Sequence, residues 1–150
     1  MKVEREIRIG APRDAVWAFL WDVPRLAACL PGARDVRAIE DGKRYAALVA
    51  ERVGPFKVQF PLEIEILDVQ PPERLRARAG GRDSSVDGIV KVDLEVSLDA
   101  AEGGTALRLA AEIAVLGKLG TLGHSVIVRK GAEIVDRFAA AMRSQLEGAG

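Results

Sequence analysis

The chain has 150 residues, 49% hydrophobic and 5% aromatic, which suits one domain over residues 1–150 with one core and is too little for two well-packed ones. Lys and Arg number 22 and Asp and Glu 22, a formal net charge of +0, so no global field concentrates nucleic acid or steers an acidic partner, and no nucleic-acid role is expected. A lone cysteine closes no internal disulfide, MKVEREIRIG lacks the apolar stretch of a signal peptide, and the longest apolar run, Ala15 to Trp21, is far short of the ~20 residues that cross a bilayer. The expectation is a cytoplasmic protein whose membrane contact, if any, is peripheral at the inner face.

In chain order, Val3, Ile7 and Ile9 alternate with Glu4, Glu6 and Arg8, the two-residue period of a half-buried strand. APRDAVWAFLWDVPRLAACL follows, with Pro12 placed to start a helix and apolar stripes at Val16, Leu20 and Val23, then Leu26, Ala27 and Leu30, interrupted at Pro24. Two short helices joined at Asp22-Val23-Pro24 are predicted. After Pro31-Gly32 the pattern turns to strands. Tyr45, Ala47 and Val49 share a face, and Phe56, Val58, Phe60, Leu62, Ile64 and Ile66 form a long row against Lys57, Gln59, Glu63 and Glu65. Leu75, Ala77 and Ala79 alternate with Arg74, Arg76 and Arg78; Val90 to Leu98 alternate with Lys91, Asp93, Glu95 and Ser97; Leu107 to Val115 continue after Gly103-Gly104. Each strand has one wet and one dry face, as in an antiparallel sheet covered on one side.

The cover is expected from the end of the chain. From Leu119 onwards, Ile127, Gly131, Ile134, Val135, Phe138, Met142 and Leu146 recur at three- and four-residue steps, with Arg129, Lys130, Glu133, Asp136, Arg137 and Arg143 mostly elsewhere; this is a long amphipathic helix. The closing LEGAG reads as a frayed end. The predicted class is α+β, a helix-grip fold in which a curved antiparallel sheet wraps a long C-terminal helix, with two short helices after the first strand. Such a sheet does not close tightly on one helix, so an apolar cavity between them is expected.

Several segments carry a family resemblance. APRDAVWAFLWDVPRLAACLPGARDV, VGPFKVQF and the glycine-spaced GKLGTLG resemble the carbon monoxide dehydrogenase G-subunit family, within the polyketide cyclase and START-like (SRPBCC) superfamily. The Leu30-Pro31-Gly32 turn and the Gly117, Gly120 and Gly123 series are its most specific marks. The resemblance implies an accessory protein of a molybdenum hydroxylase such as carbon monoxide dehydrogenase, serving maturation, membrane recruitment or electron-carrier delivery, with a cavity for a quinone or lipid and no cofactor. Many relatives continue into a linker and membrane-binding tail where this chain stops at Gly150, which counts against anchoring by such a tail. AGGRDSSVDGIV stands where relatives have a small hairpin with an aromatic residue, so a more polar rim is expected.

Candidate chemistry is sparse. Cys29, in LAACL, has no second cysteine and a single distant histidine, His124, so packing is favoured over a reactive thiol or a metal ligand. Asp83, Ser85, Asp87 and Gly88 copy the opening spacing of a calcium loop, but the twelfth position is Leu94, and a polar hairpin turn is the better reading. GKLGTLG lacks the order of a phosphate loop; its glycines let a strand turn and a helix start approach the sheet, although their amides could also hold an oxygen. Arg74, Arg76 and Arg78 form a solvated strand face or, as the alternative, a docking patch for an acidic partner or anionic lipid. Arg5 interrupts the dry row between Val3 and Ile7, either reaching water at a sheet edge or anchoring a ligand oxygen.

The cavity is expected to be lined by Phe56, Phe60, Leu94, Leu109, Ile113, Phe138 and Met142, with Trp17 near its opening and Arg5 and Tyr45 as candidate polar groups. No catalytic residue and no metal ligand is assigned. The rival reading is a cyclase- or dehydratase-like enzyme using that cavity, whose acid and base would have to come from Tyr45, His124 and Asp136.

Overall fold

In the computed structural model, residues 1–30, 32–83 and 87–147 are described. Pro31 of the family turn, Ser85 of the calcium-like spacing and the last three residues of LEGAG lie outside them.

Strand β1 (Lys2–Ile9) is followed by helices α1 (Arg13–Trp21) and α2 (Val23–Ala28). Pro12 caps α1, and Asp22 ends α1 while capping α2, its carboxylate accepting from the Arg25 amide at 3.4 Å. The apolar stripe of α1 is centred on Val16 and Phe19, both 0% exposed, so Phe19 and not Leu20 is its anchor. Six strands then run as a meander: β2 (Ala33–Glu40), β3 (Arg44–Val53), β4 (Phe56–Gln70), β5 (Arg74–Asp83), β6 (Gly88–Ala101) and β7 (Gly104–Gly117). All neighbours are antiparallel, and β1 returns to pair with β7, giving the order β1-β7-β6-β5-β4-β3-β2. This is the helix-grip fold expected from the alternation.

The long row of β4 ends at Ile66 because a bulge between Ile66 and Asp68 keeps Asp68, as well as Leu67, off the dry face and returns Val69 to it opposite Leu75. Edge strand β2 has two register shifts, irregularity that blunts pairing with another chain.

The chain leaves β7 through a short 3-10 helix, Lys118–Leu122, before α3 (His124–Glu147) begins. Leu119, expected to open the long helix, instead belongs to this turn, where its side chain is buried. Gly117 has φ +77°, and a Cβ there would overlap the Asp87 carbonyl. A side chain is excluded on both counts.

The dry face holds two buried clusters. The larger joins Ile7, Ile9, Val16, Phe19, Cys29, Leu98, Leu107, Ala139 and Met142 under α1, α2 and the end of α3. The smaller joins Val58, Phe60 and Leu119 at the opposite end.

Candidate functional site

Between the clusters the sheet carries apolar rows that stay half-buried. One runs across five strands through the pairs Tyr45 with Ile64, Ile64 with Ala79, Ala79 with Val92 and Val92 with Ile113. The next includes Leu62, Gly81, Val90 and Val115, with Ala47 buried at its β3 end. Ile64, Ala79, Val92 and Ile113 are all partly exposed, as are Ile134, Val135 and Phe138 on α3.

The cause lies in how α3 sits. Gly131 brings it down onto one side of the sheet: a Cβ there would stand 3.0 Å from Ile113 Cδ1 and 3.3 Å from Val3 Cγ2. Arg5 with Asp136 at 3.2 Å, and Arg143 donating to the Arg8 carbonyl at 2.8 Å, fasten the same flank to β1. On the other flank the tie to β3 is made by long side chains. Lys130 Nζ lies 2.9 Å and Arg137 Nη2 2.7 Å from Glu51 Oε1.

Glu51 projects from the dry face of β3, two residues beyond Val49 and opposite buried Val58. Its side chain is 10% exposed and that of Lys130 16%. A Cβ on Gly32 would overlap its carboxylate and stand 2.8 Å from the Ala50 carbonyl oxygen, which accounts for glycine at this position. Burial pushes the Glu51 carboxyl up, but the hydrogen bonds and charges of Lys130 and Arg137 outweigh that and hold it below its ordinary value. Arg137 Nε is buried and has no hydrogen-bond partner among the described residues.

Alternation contained the signal for Glu51, since the face Tyr45, Ala47, Val49 continues to Glu51 and Val53. Lys130 and Arg137 read as solvent-face charges because helical periodicity does not say which flank meets a strand.

The residues expected to line a cavity are all on the dry side. Phe60 and Met142 are buried, one in each cluster. Trp17, Leu94, Leu109 and Phe138 are half-buried against the larger cluster and Phe56 against the smaller. Trp17 meets Trp21 edge to face at 5.8 Å. Ile113 lies under Gly131. Two shallow depressions lie elsewhere: about 580 Å³ along the outer face of α3, including Arg5, Arg129 and Arg137, and about 230 Å³ on the wet face, including Arg76 and Glu95.

The candidate acid-base groups are not brought together. The Tyr45 hydroxyl accepts from the Gly42 amide at 2.8 Å within its own hairpin. His124 is the exposed first residue of α3, and Asp136, twelve residues on, stands roughly 18 Å further along the helix, paired with Arg5. Arg5 is at the edge strand, 40% exposed, which supports the edge reading.

Cys29 caps the end of α2 at 0% exposure. Burial pushes its thiol up, with nearby Arg25 opposing in part, so little thiolate is available and packing is its role. Asp83 ends β5, and its carboxylate accepts from the Gln59 amide at 2.6 Å; Asp83 stands opposite Gly88 in the antiparallel pairing of β5 with β6. On the wet face Arg74 meets Glu95 at 3.6 Å and Arg78 meets Asp93 at 3.1 Å, all well exposed, which makes them solvated cross-strand pairs. No helix among the described residues is long and apolar enough to cross a membrane.

The seven-stranded sheet gripping one long helix, with its half-covered apolar rows, defines a helix-grip protein. Within it, residues 6–147 match the family model of the carbon monoxide dehydrogenase G subunit (CoxG), and the chain belongs to that family. No curated protein matches. Among solved structures it is similar to a conserved protein from Geobacillus kaustophilus, 19% identical over 99% of this chain and 95% of that one, with a TM-score of 0.86. A protein from Thermus thermophilus is 18% identical over 100% and 99% of the two chains, TM-score 0.72. Ara h 8.0201 is 12% identical over 99% and 98%, TM-score 0.66.

Proposed function

We propose that the protein is a non-catalytic accessory protein that holds a hydrophobic molecule, a quinone or a lipid, between α3 and the sheet, on behalf of a molybdenum hydroxylase such as carbon monoxide dehydrogenase. The observation that carries this reading is the set of half-buried aliphatics, Ile64, Val92, Ile113 and Ile134, lying between two separately buried clusters. Apolar surface left within reach of water costs about 25 cal/mol per Å² relative to burial, and an apolar ligand would cover it. On this reading Leu94, Leu109 and Phe138 border that space, with Phe56 and Trp17 towards its ends, while buried Phe60 and Met142 belong to the clusters that flank it. Membership of the CoxG family supports the link to carbon monoxide dehydrogenase. The separation of Tyr45, His124 and Asp136 counts against a cyclase or dehydratase.

The test is native mass spectrometry of the purified chain followed by organic extraction. A stoichiometric isoprenoid quinone or acyl lipid supports the carrier. A ligand-free chain that takes up neither a short-tailed quinone nor palmitate in a tryptophan-fluorescence titration overturns it.

A further inference from the structure

The wet face of the sheet carries its charge unevenly. At one end the basic residues have acidic company: Arg74 meets Glu95, Arg78 meets Asp93, and Arg108 meets Glu6 and Asp99, all within 3.6 Å, while Arg76 stands opposite Asp68 and Glu95. Towards the other end, where β3 turns into β4 and β5 finishes, Arg34, Arg37, Arg52, Lys57, Arg82 and Lys91 are all exposed. None of these six has an ion-pair partner among the described residues. Glu63, in the same rows, is turned to Arg44 at 3.9 Å, and Asp35 and Asp87 lie at the margins, on β2 and just before β6.

Apolar side chains stand between these cations. One wet-face row crosses from β2 to β7, pairing Arg34 with Leu48, Leu48 with Pro61, Arg82 with Ile89 and Ile89 with Leu116. Pro61 and Arg82 adjoin one step past the pair Leu62 and Gly81. Leu116 is 49% exposed, the most open of the large apolar side chains described. Arg37 and Lys91 flank this row on one side, and Arg52, paired with Lys57, closes the other. An apolar centre with a charged rim is the anatomy of a protein interface, and arginine forks match carboxylates. A bilayer suits this face less. The aromatic residues of the sheet, Tyr45, Phe56 and Phe60, are all on the dry side, so none is available to sit at headgroup level, and Leu48 and Ile89 are half-buried between the cations.

We propose that this end of the wet face is a docking surface for an acidic partner protein, which brings carboxylates to Arg34, Arg82 and Lys91 and apolar side chains to Leu48, Ile89 and Leu116. At the usual strand and residue spacings the patch measures roughly 24 by 20 Å, small for a permanent interface, so the contact forms and releases. It lies on the opposite face of the sheet from α3. The docking surface therefore does not depend on the carrier reading and stands whether or not a ligand is held between α3 and the sheet.

Fluorescence-anisotropy titrations of the whole chain at low salt test this, with labelled poly-L-glutamate and a labelled random copolymer of glutamate and tyrosine as acidic probes without and with apolar side chains. The variants are Arg82→Glu with Lys91→Glu, the control pair Arg74→Glu with Arg78→Glu, which changes the net charge equally, and Leu116→Ser. Circular dichroism melts establish that each is folded, and the single Arg82→Gln carries the test if the first pair does not fold. The native chain is expected to bind both probes, the copolymer more tightly. Arg82→Glu with Lys91→Glu should lose ~10-fold on both, as two reversed surface charges are worth, and Arg82→Gln ~3-fold, with the control pair within about 2-fold. Leu116→Ser should bring the copolymer down to the poly-L-glutamate affinity. Equal losses in the two charge pairs, or a native chain that binds neither probe, overturn the docking surface. Vesicles of phosphatidylcholine and phosphatidylglycerol that bind the native chain and displace the copolymer, with the same variants losing both, assign the patch to a lipid surface and overturn the protein partner. A native dimer that the Arg82 and Lys91 changes dissociate assigns it to a second copy of the chain and does the same.

Discussion

The two flanks of α3 meet the same sheet in opposite ways. Towards β1 the helix packs most closely, and a Cβ on Gly131 would press on Val3 and on Ile113 of β7. Towards β3 its approach is slighter, and Lys130 and Arg137 reach Glu51 with long side chains. A helix laid over a curved sheet cannot be close to every strand. Where it is close, small residues and aliphatics make core; where it is not, half-buried rows and a charged bridge remain. The first arrangement stabilises the fold, and the second leaves apolar surface within reach of water.

Substitutions at matched positions sharpen this contrast. The largest effect is expected for Met142→Ala on the closed stripe, at 0% exposure, which should lose about 2–5 kcal/mol in urea denaturation. If the helix were equally loose along its length, the loss would be far smaller. Glu51→Ala leaves two cations without their carboxylate, and since Arg137 is 37% exposed and can turn to water, a loss of about 2–3 kcal/mol is expected, below the full cost of breaking a buried pair.

The same carboxylate sets a pH dependence. Its folded pKa lies below its ordinary 4.5, so the bridge contributes fully above about pH 4.5 and its contribution is lost as pH falls through the folded value. Denaturation midpoints across pH 3–7 should therefore show a shallower acid limb in Glu51→Gln, and identical limbs would remove the bridge from the stability of the fold.

Gly131→Leu forces the close flank apart and should cost about 1–3 kcal/mol, as read from the thermal midpoint. Phe138→Ala, one turn before Met142 but half-buried, should cost about 1–2 kcal/mol and weaken ligand uptake more than Met142→Ala does. Equal costs at Phe138 and Met142 would mean that no gap separates them. Arg78→Ala, on an exposed wet-face pair, should stay within about 0.5 kcal/mol.

Sequence and tertiary structure divide the account along a physical line. Alternation is local: it placed the dry faces of β1 and of β3 to β7, short of the bulge after Ile66 and of edge strand β2, and with the three- and four-residue spacing after Ile127 and the proline breaks around Asp22 it determined the helix-grip order. It also marked Arg5 as the anomaly of its row and Cys29 as packing. Continued past Val49, the dry row of β3 would have reached Glu51, yet nothing local distinguishes a glutamate at the end of a strand from one that bridges to a helix. Its partner Arg137 is 86 positions away in the chain, and helical periodicity gives a residue's angle without saying what stands opposite. Leu119 went the same way, apolar in the expected sense but placed by glycine geometry in a turn. The faces followed from side-chain pattern alone. The gap, the bridge across it and the unmet donor of Arg137 were decided by the distance at which α3 comes to rest over the sheet, a consequence of packing between segments far apart in sequence.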